Sequence, residues 1–276
     1  TTLFWLLLNS RKKNKMVIAP KIISISNQKG GVGKTTTTIN LATAMVSFEK
    51  KLLIIDLDPQ GNASTGLGID GKNRENNIYK ALTSQEDINN CIFETSIPSL
   101  KIIPSTIDLS AVEIEFSNIK KRELILKKII SGINEYFDYI LIDCPPSLGL
   151  LTINAMASST EIIVPLQCEF YALEGLSQLL KTIELIKVKL NPNLKLKGIV
   201  LTMFDSRNKL SQLVENDVRN HFKDKVYKTV IPRNVRISEA PSYGLPVLLY
   251  DTDCLGSKAY ASLSAELILQ EDGING

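Results

Sequence analysis

The sequence predicts an α/β fold, a doubly wound and mostly parallel sheet flanked by helices on both faces. Three observations carry that expectation. Short apolar runs alternate with longer stretches of helical period, several runs are continuously apolar as doubly buried strands are, and a glycine-rich segment joins the first run to the first helical stretch. Strands are expected at 22–26, 52–56, 100–103, 139–143, 161–166, 197–203 and 226–231. The second and fourth read Leu-Leu-Ile-Ile-Asp and Tyr-Ile-Leu-Ile-Asp, apolar until a terminal acid. Helices are expected at 36–48, 122–134, 149–156, 173–190, 211–222 and 257–270, between or after those runs. The polar stretch 66–77 reads as a surface loop, and no repeat, low-complexity tract or long Pro/Gly linker divides the chain. At 276 residues, 44% hydrophobic and 22% charged, the chain can bury one large core.

The glycine-rich segment is Lys29-Gly30-Gly31-Val32-Gly33-Lys34-Thr35-Thr36. Lying between a strand and a helix, it has the context a phosphate-binding loop needs. Its glycines allow backbone N–H groups to turn inward as an anion nest, and the helix N-terminus adds positive dipole. Lys34 is then expected to reach the β- and γ-phosphates of a nucleotide, and Thr35 to ligate Mg²⁺. The usual G-x-x-x-x-G-K-[ST] pattern is broken at its first position, which holds Gln28; the glycine pair instead follows a second lysine, Lys29.

Two further runs end in carboxylates. Residues 52–60 leave a buried strand through Asp56-Leu57-Asp58-Pro59-Gln60, and residues 139–146 end in Asp143-Cys144-Pro145-Pro146. In such sheets ligands bind outside the carboxyl ends of the strands. Asp143 fits a residue holding Mg²⁺ through water, since Mg²⁺ keeps several of its waters. Asp58, beyond its strand, fits a residue that orients an attacking water. Taken alone, each aspartate would more often be a cap or turn residue; the loop upstream reverses that reading.

Residues 1–15 differ from the rest. An apolar stretch from Leu3 to Leu8 precedes Arg11-Lys12-Lys13-Asn14-Lys15, and Met16 stands just before the first strand. Six apolar residues do not span a bilayer, and the basic residues lie on the wrong side for a signal peptide. The expected reading is an upstream extension with Met16 as the start and residues 16–276 as a single domain; the alternative is a weak membrane-surface anchor. Without that segment, 28 basic residues face 29 acidic ones, a net −1, so overall charge points to no partner. Its distribution is uneven: from Lys181 to Arg236 there are thirteen Lys/Arg against five Asp/Glu. Such a stretch suits either a DNA-binding face or a solvated basic surface. Cys91, Cys144, Cys168 and Cys254 have no metal-like spacing and read as reduced thiols. His221, the only histidine, reads as a helix-end dipole partner.

The K-G-G-x-G-K-T form resembles the deviant Walker A motif of the ParA/MinD family of P-loop NTPases. With Asp56-Leu57-Asp58-Pro59-Gln60-Gly61-Asn62-Ala63, Asp143-Cys144-Pro145-Pro146-Ser147-Leu148-Gly149, Glu169-Phe170-Tyr171-Ala172-Leu173-Glu174-Gly175 and Ile231-Pro232-Arg233-Asn234-Val235-Arg236, the chain from Lys21 to about Gln270 is similar to the Soj/ParA-type partition ATPases. That resemblance implies an ATPase using Mg²⁺ with ATP. Its loop, Lys29, Gly30, Gly31, Val32, Gly33, Lys34, Thr35 and Thr36, would hold the nucleotide, with Lys29 completing a partner subunit's site. Asp58 would be the hydrolysis aspartate, Asp143 the Walker B residue, and Pro232 and Asn234 would flank adenine. It further implies an ATP-dependent homodimer that binds duplex DNA without sequence preference, with contacts at Arg207 and Arg236. A ParB-like centromere-binding protein would stimulate hydrolysis, and the protein would be cytoplasmic and nucleoid-associated.

Two other classes share this loop. A MinD-like division-site ATPase ends in a basic amphipathic helix, whereas 257–270 contains one lysine and one glutamate and is followed by Glu271 and Asp272, so no stable membrane association is expected. A metabolic enzyme, such as an ATP-dependent ligase or reductase component, needs convergent side chains around a small-molecule pocket that the sequence does not display.

Overall fold

The strands β1 (Lys21–Ile25), β2 (Leu52–Asp56), β3 (Phe93–Glu94), β4 (Leu100–Ile103), β5 (Tyr139–Asp143), β6 (Glu161–Gln167) and β7 (Lys195–Thr202) join into one sheet in the order β3-β4-β2-β5-β1-β6-β7. The structure is a computed structural model that describes residues 19–271, so the expected extension at 1–15 and its anchor alternative lie outside the described residues. Every pairing is parallel except β3 on β4. The helices used below are α1 (Lys34–Val46), α2 (Asn62–Gly66), α3 (Ile125–Ile130), α4 (Leu150–Ser158), α5 (Ala172–Lys189), α6 (Lys209–Phe222), α7 (Val235–Glu239) and α8 (Leu255–Glu271).

Alternate strand residues feed opposite layers. Leu52, Ile54 and Leu141 join Leu41 and Met45 of α1 and Tyr260 and Leu263 of α8 on one face; Leu53, Ile55, Ile140 and Ile142 join Leu126 of α3 and Leu151 of α4 on the other. Under β6 and β7, α5 and α6 bury Leu176, Leu179, Val214 and Val218 against Ile162, Val164 and Leu201. Double-sided burial explains why these strands read as unbroken apolar runs. Burying each Leu or Ile stabilises the fold by about 1.5–3 kcal/mol before ordering entropy is subtracted.

Three parts depart from the sequence reading. Residues 226–231 form no strand; only isolated bridges link Val226 to Ile199 and Pro232 to Phe204. Tyr227 N and Ile231 N donate to Ile199 O and Leu201 O of β7, but the groups in the middle of the segment are taken by side chains. Glu266 of α8 accepts from Lys228 N at 2.6 Å and Thr229 N at 3.0 Å, while Arg219 of α6 donates to the carbonyls of Tyr227 and Lys228. The helix expected at 122–134 shortens to a 3₁₀ turn, Arg122–Leu124, followed by α3. The loop at 66–77 is exposed over only half its length, and it carries the buried side chains of Leu67, Arg74 and Asn77.

Register sets the site. Asp143 at the end of β5 stands opposite both Ile25 of β1 and Asp56 of β2. β1 pairs with β5 on one side and β6 on the other, so β2 to β5 lie on one side of it and β6 and β7 on the other. The crevice at the carboxyl ends of these strands is the ligand position of doubly wound sheets.

Candidate nucleotide site

The loop between β1 and α1 is shaped from within and braced from outside. Gly31 and Gly33 hold φ of 73° and 87°, conformations that side chains rarely adopt, and Gly33 caps α1 without a side-chain acceptor. The first N–H groups of α1 are therefore presented to an anion. Lys34 folds back to donate to the Lys29 carbonyl at 2.9 Å, and Thr202 of β7 donates to the Val32 carbonyl at 2.8 Å. Asn27 donates to Pro165 O at 2.7 Å and accepts from Lys29 N at 3.0 Å. Lys34 is buried, which lowers its pKa, and the Asp143 carboxylate opposes that shift.

Beneath the loop lie the carboxylates. Asp143 is fully buried and accepts from Thr35 Oγ1 at 2.7 Å and Thr38 Oγ1 at 3.1 Å. Burial raises its pKa above the carboxylate range, and the neighbouring Asp56 carboxylate adds to the shift. Asp56 is also raised by burial, against hydrogen bonds from Ser64 Oγ at 2.7 Å and Ser64 N at 2.9 Å. Asp58, almost buried, closes the turn after β2: its side chain accepts from Gln60 N at 3.0 Å and its carbonyl from Gly61 N at 2.9 Å.

Among the described residues no three His, Cys, Asp or Glu side chains gather as a metal cage. One hydroxyl, Thr35, and one carboxylate, Asp143, are the sparse oxygen set that fits Mg²⁺ arriving with phosphates and waters of its own.

The expected adenine residues line a separate part of the crevice. Pro232 and Asn234 border a cavity of about 280 Å³ with Gly33, Thr36, Met203 and Tyr260. Asn234 Oδ1 caps α7 by accepting from Arg236 N at 2.9 Å, which leaves its amide N–H₂ as the group that can face a base. A second cavity of about 280 Å³ lies across Thr35 and Thr36, bounded by Asn40, Asn62, Thr65 and Val247.

Lys29 is not turned into this site. Its ammonium pairs with the Glu169 carboxylate beyond β6, and both side chains are nearly half exposed, at 45% and 46%. Next to Glu169, Phe170 and Tyr171 stand exposed with their rings edge to face at 5.1 Å. Arg207 and Arg236 also lie apart from the phosphate loop. Arg207 forms a bidentate pair with Asp205, both contacts 3.0 Å, and Arg236 contacts Glu239 at 2.9 Å and Asp251 at 3.3 Å. Ion pairs with Glu184, Glu215 and Glu161 likewise offset Lys187, Arg219 and Lys197, so the basic stretch is less bare than its sequence. His221 is exposed in the last turn of α6 and contacts Asp217 O at 2.8 Å.

Sequence reasoning missed Thr38, Ser64, Thr202 and Glu169. Thr38 alone had a local signal, because Thr35 and Thr38 are three apart on one helix face. Ser64 lies eight residues beyond Asp56 in the next element, and Thr202 and Glu169 reach the site from distant ones.

A glycine loop between β1 and α1, a buried lysine and a threonine–aspartate pair at the carboxyl end of a parallel sheet define a P-loop ATPase fold of the deviant Walker A type. A family model described as an AAA domain matches residues 20–196. The chain is 53% identical over 253 residues to the chromosome partitioning protein ParA of Caulobacter vibrioides, covering 91% of this chain and 95% of that protein. It is 50% identical over 247 residues to the sporulation initiation inhibitor protein Soj of Bacillus subtilis, covering 90% and 98%. Among solved structures it resembles a cobyrinic acid a,c-diamide synthase of Mycobacterium smegmatis with bound ADP and magnesium, at TM-score 0.82 and 31% identity, covering 93% and 97%. The chain belongs to the ParA/Soj family of chromosome-partitioning proteins.

Proposed function

We propose that the protein is an ATP-driven partition switch that hydrolyses ATP to ADP and phosphate. Lys34 and the N–H groups of Gly30–Thr36 hold the phosphates, Thr35 and, through water, Asp143 hold Mg²⁺, and Pro232 and Asn234 flank adenine. Asp58 orients the attacking water. Lys29 crosses to the phosphates of a second subunit, closing a dimer around two nucleotides. The dimer binds duplex DNA without sequence preference through Arg207 and Arg236, whose guanidinium groups suit phosphates. A ParB-like centromere-binding protein stimulates hydrolysis and so releases the dimer, which in the cell is cytoplasmic and nucleoid-associated.

The observation that carries this reading is the position of Lys29: a loop lysine held at the surface by Glu169 instead of turned into its own site. Membrane attachment through α8 is disfavoured, because Tyr260, Leu263, Leu267 and Ile268 are already buried in the core; among the described residues no helix is long and apolar enough to cross a membrane. The structural likeness to a synthase with bound ADP and magnesium favours one alternative, a metabolic ligase, which would not need Lys29 for self-association.

Sedimentation with Mg-ATP separates the two. The partition reading expects an ATP-dependent dimer that Lys29→Ala abolishes along with hydrolysis, while the monomer stays folded, since an exposed cation contributes little to the core. A dimer fraction and turnover unaltered by Lys29→Ala would remove the shared-site reading.

A further inference from the structure

Arg74, 8% exposed, places a guanidinium under the segment that carries Asp58. All five of its N–H groups are used. Nε and Nη2 donate to Ile69 O at 3.0 and 2.7 Å, Nη2 to Thr65 Oγ1 at 2.8 Å, and Nη1 to Gly61 O and Ser105 O, both at 3.2 Å. Every acceptor is neutral. Burial lowers the Arg74 pKa, and Asp56 and Asp70 restore part of the shift from a distance. A cation taken out of water without a contacting carboxylate is a poor way to stabilise a fold, and an apolar side chain of similar volume would do so better.

What the fork holds suggests its use. Gly61 closes the turn that begins at Asp58; Thr65 and Ile69 lie at the far end of α2; Ser105 follows β4. Ser105 N donates to Ser64 Oγ at 3.1 Å, and that hydroxyl donates to Asp56 at 2.7 Å. Both ends of the Asp58 segment are thus tied to the end of β4 through one planar group. The fit is tight from the other side as well: Gly61 has φ of 63°, and a Cβ there would lie 2.2 Å from Arg74 Nη1 and 3.1 Å from Ser105 O.

We propose that Arg74 is a positioning residue for Asp58: it fixes the turn from Asp58 to Gly61, so that hydrolysis depends on Arg74 while nucleotide binding does not. This rests on the water-orienting role proposed for Asp58. None of the guanidinium's hydrogen bonds goes to the phosphate loop, Asp143 or the Pro232–Asn234 segment, so the ground-state complex should survive its loss. A lysine keeps the charge but concentrates its donors on one nitrogen, which cannot span Gly61, Thr65, Ile69 and Ser105.

The test compares Arg74→Lys, Gly61→Ala, Asp58→Ala and the double variant Arg74→Lys/Asp58→Ala in Mg-ATP turnover and Mg-ATP binding. Misplacement of a reacting group by about 1 Å costs on the order of 10²-fold, so kcat should fall about 10- to 100-fold in Arg74→Lys and Gly61→Ala, with the nucleotide Kd within about 3-fold of wild type. Adding Arg74→Lys to Asp58→Ala should lower kcat by no more than about 2-fold further, because the arginine acts through the aspartate. A kcat loss under about 3-fold in both folded single variants would overturn the proposal. So would an undiminished loss in the Asp58→Ala background, or a Kd that weakens in step with kcat, which marks a merely structural clamp. Wild-type turnover by Asp58→Ala itself would overturn the premise, and that result is read without any Arg74 variant.

Discussion

In the proposed switch, Glu169→Gln perturbs the step at which Lys29 leaves its own chain. In the free protein Lys29 is held by Glu169, and that contact must break before the ammonium can cross to a second subunit. With both side chains about half exposed, the pair is worth roughly 0.2–1 kcal/mol. The proposed dimer would break two such pairs. Removing the carboxylate should therefore favour the ATP-dependent dimer by about 0.4–2 kcal/mol, tightening its dissociation constant by about 2- to 30-fold. The substituted amide oxygen can still accept a hydrogen bond from Lys29, so the smaller end of that range applies if this contact persists. Sedimentation equilibrium with Mg²⁺ and a non-hydrolysable ATP analogue reads the constant directly. Raising the ionic strength to about 1 M, where the Debye length shrinks to about 3 Å, should erase most of the difference between wild type and variant. A weaker dimer in Glu169→Gln would refute this reasoning and assign the carboxylate to guiding Lys29 into place instead.

Asp58→Ala should still bind Mg-ATP and dimerise, with hydrolysis lowered by at least ~10²-fold; loss of nucleotide binding in a binding titration would show instead that Asp58 holds metal. Arg207→Ala and Arg236→Ala should each flatten the plot of log K against log salt by roughly two units, since a symmetric dimer loses two phosphate contacts at about 0.9 each. The loss should be equal on unrelated DNA sequences, and an unchanged slope in both variants would move the DNA surface elsewhere.

The strands were legible because they are buried on both faces. Leu52–Asp56, Leu100–Ile103 and Tyr139–Asp143 run as expected from end to end, and β1, β6 and β7 differ from expectation only by a residue or two at their ends. The same logic failed at 226–231, where Lys228 and Thr229 interrupt the apolar run. There Glu266 takes the N–H groups of Lys228 and Thr229 and Arg219 the carbonyls of Tyr227 and Lys228, which interrupts the ladder that Tyr227 N and Ile231 N make with β7, and a partner 38 residues away leaves no local signal. β3 is too short, at two residues, to show a period. In the site, the loop and its two aspartates were legible because strand, loop and helix are contiguous. The Lys29–Glu169 pair spans 140 residues, and the Arg74 fork binds mostly backbone carbonyls, which carry no residue identity at all.

The switch is tested most directly by retention of the purified protein on duplex DNA of unrelated sequence, measured with Mg-ATP, with Mg-ADP and without nucleotide. Retention with Mg-ATP alone, lost on raising salt and absent in Lys29→Ala, is the predicted result. Equal retention in all three states, or none in any, contradicts an ATP-gated DNA-binding dimer.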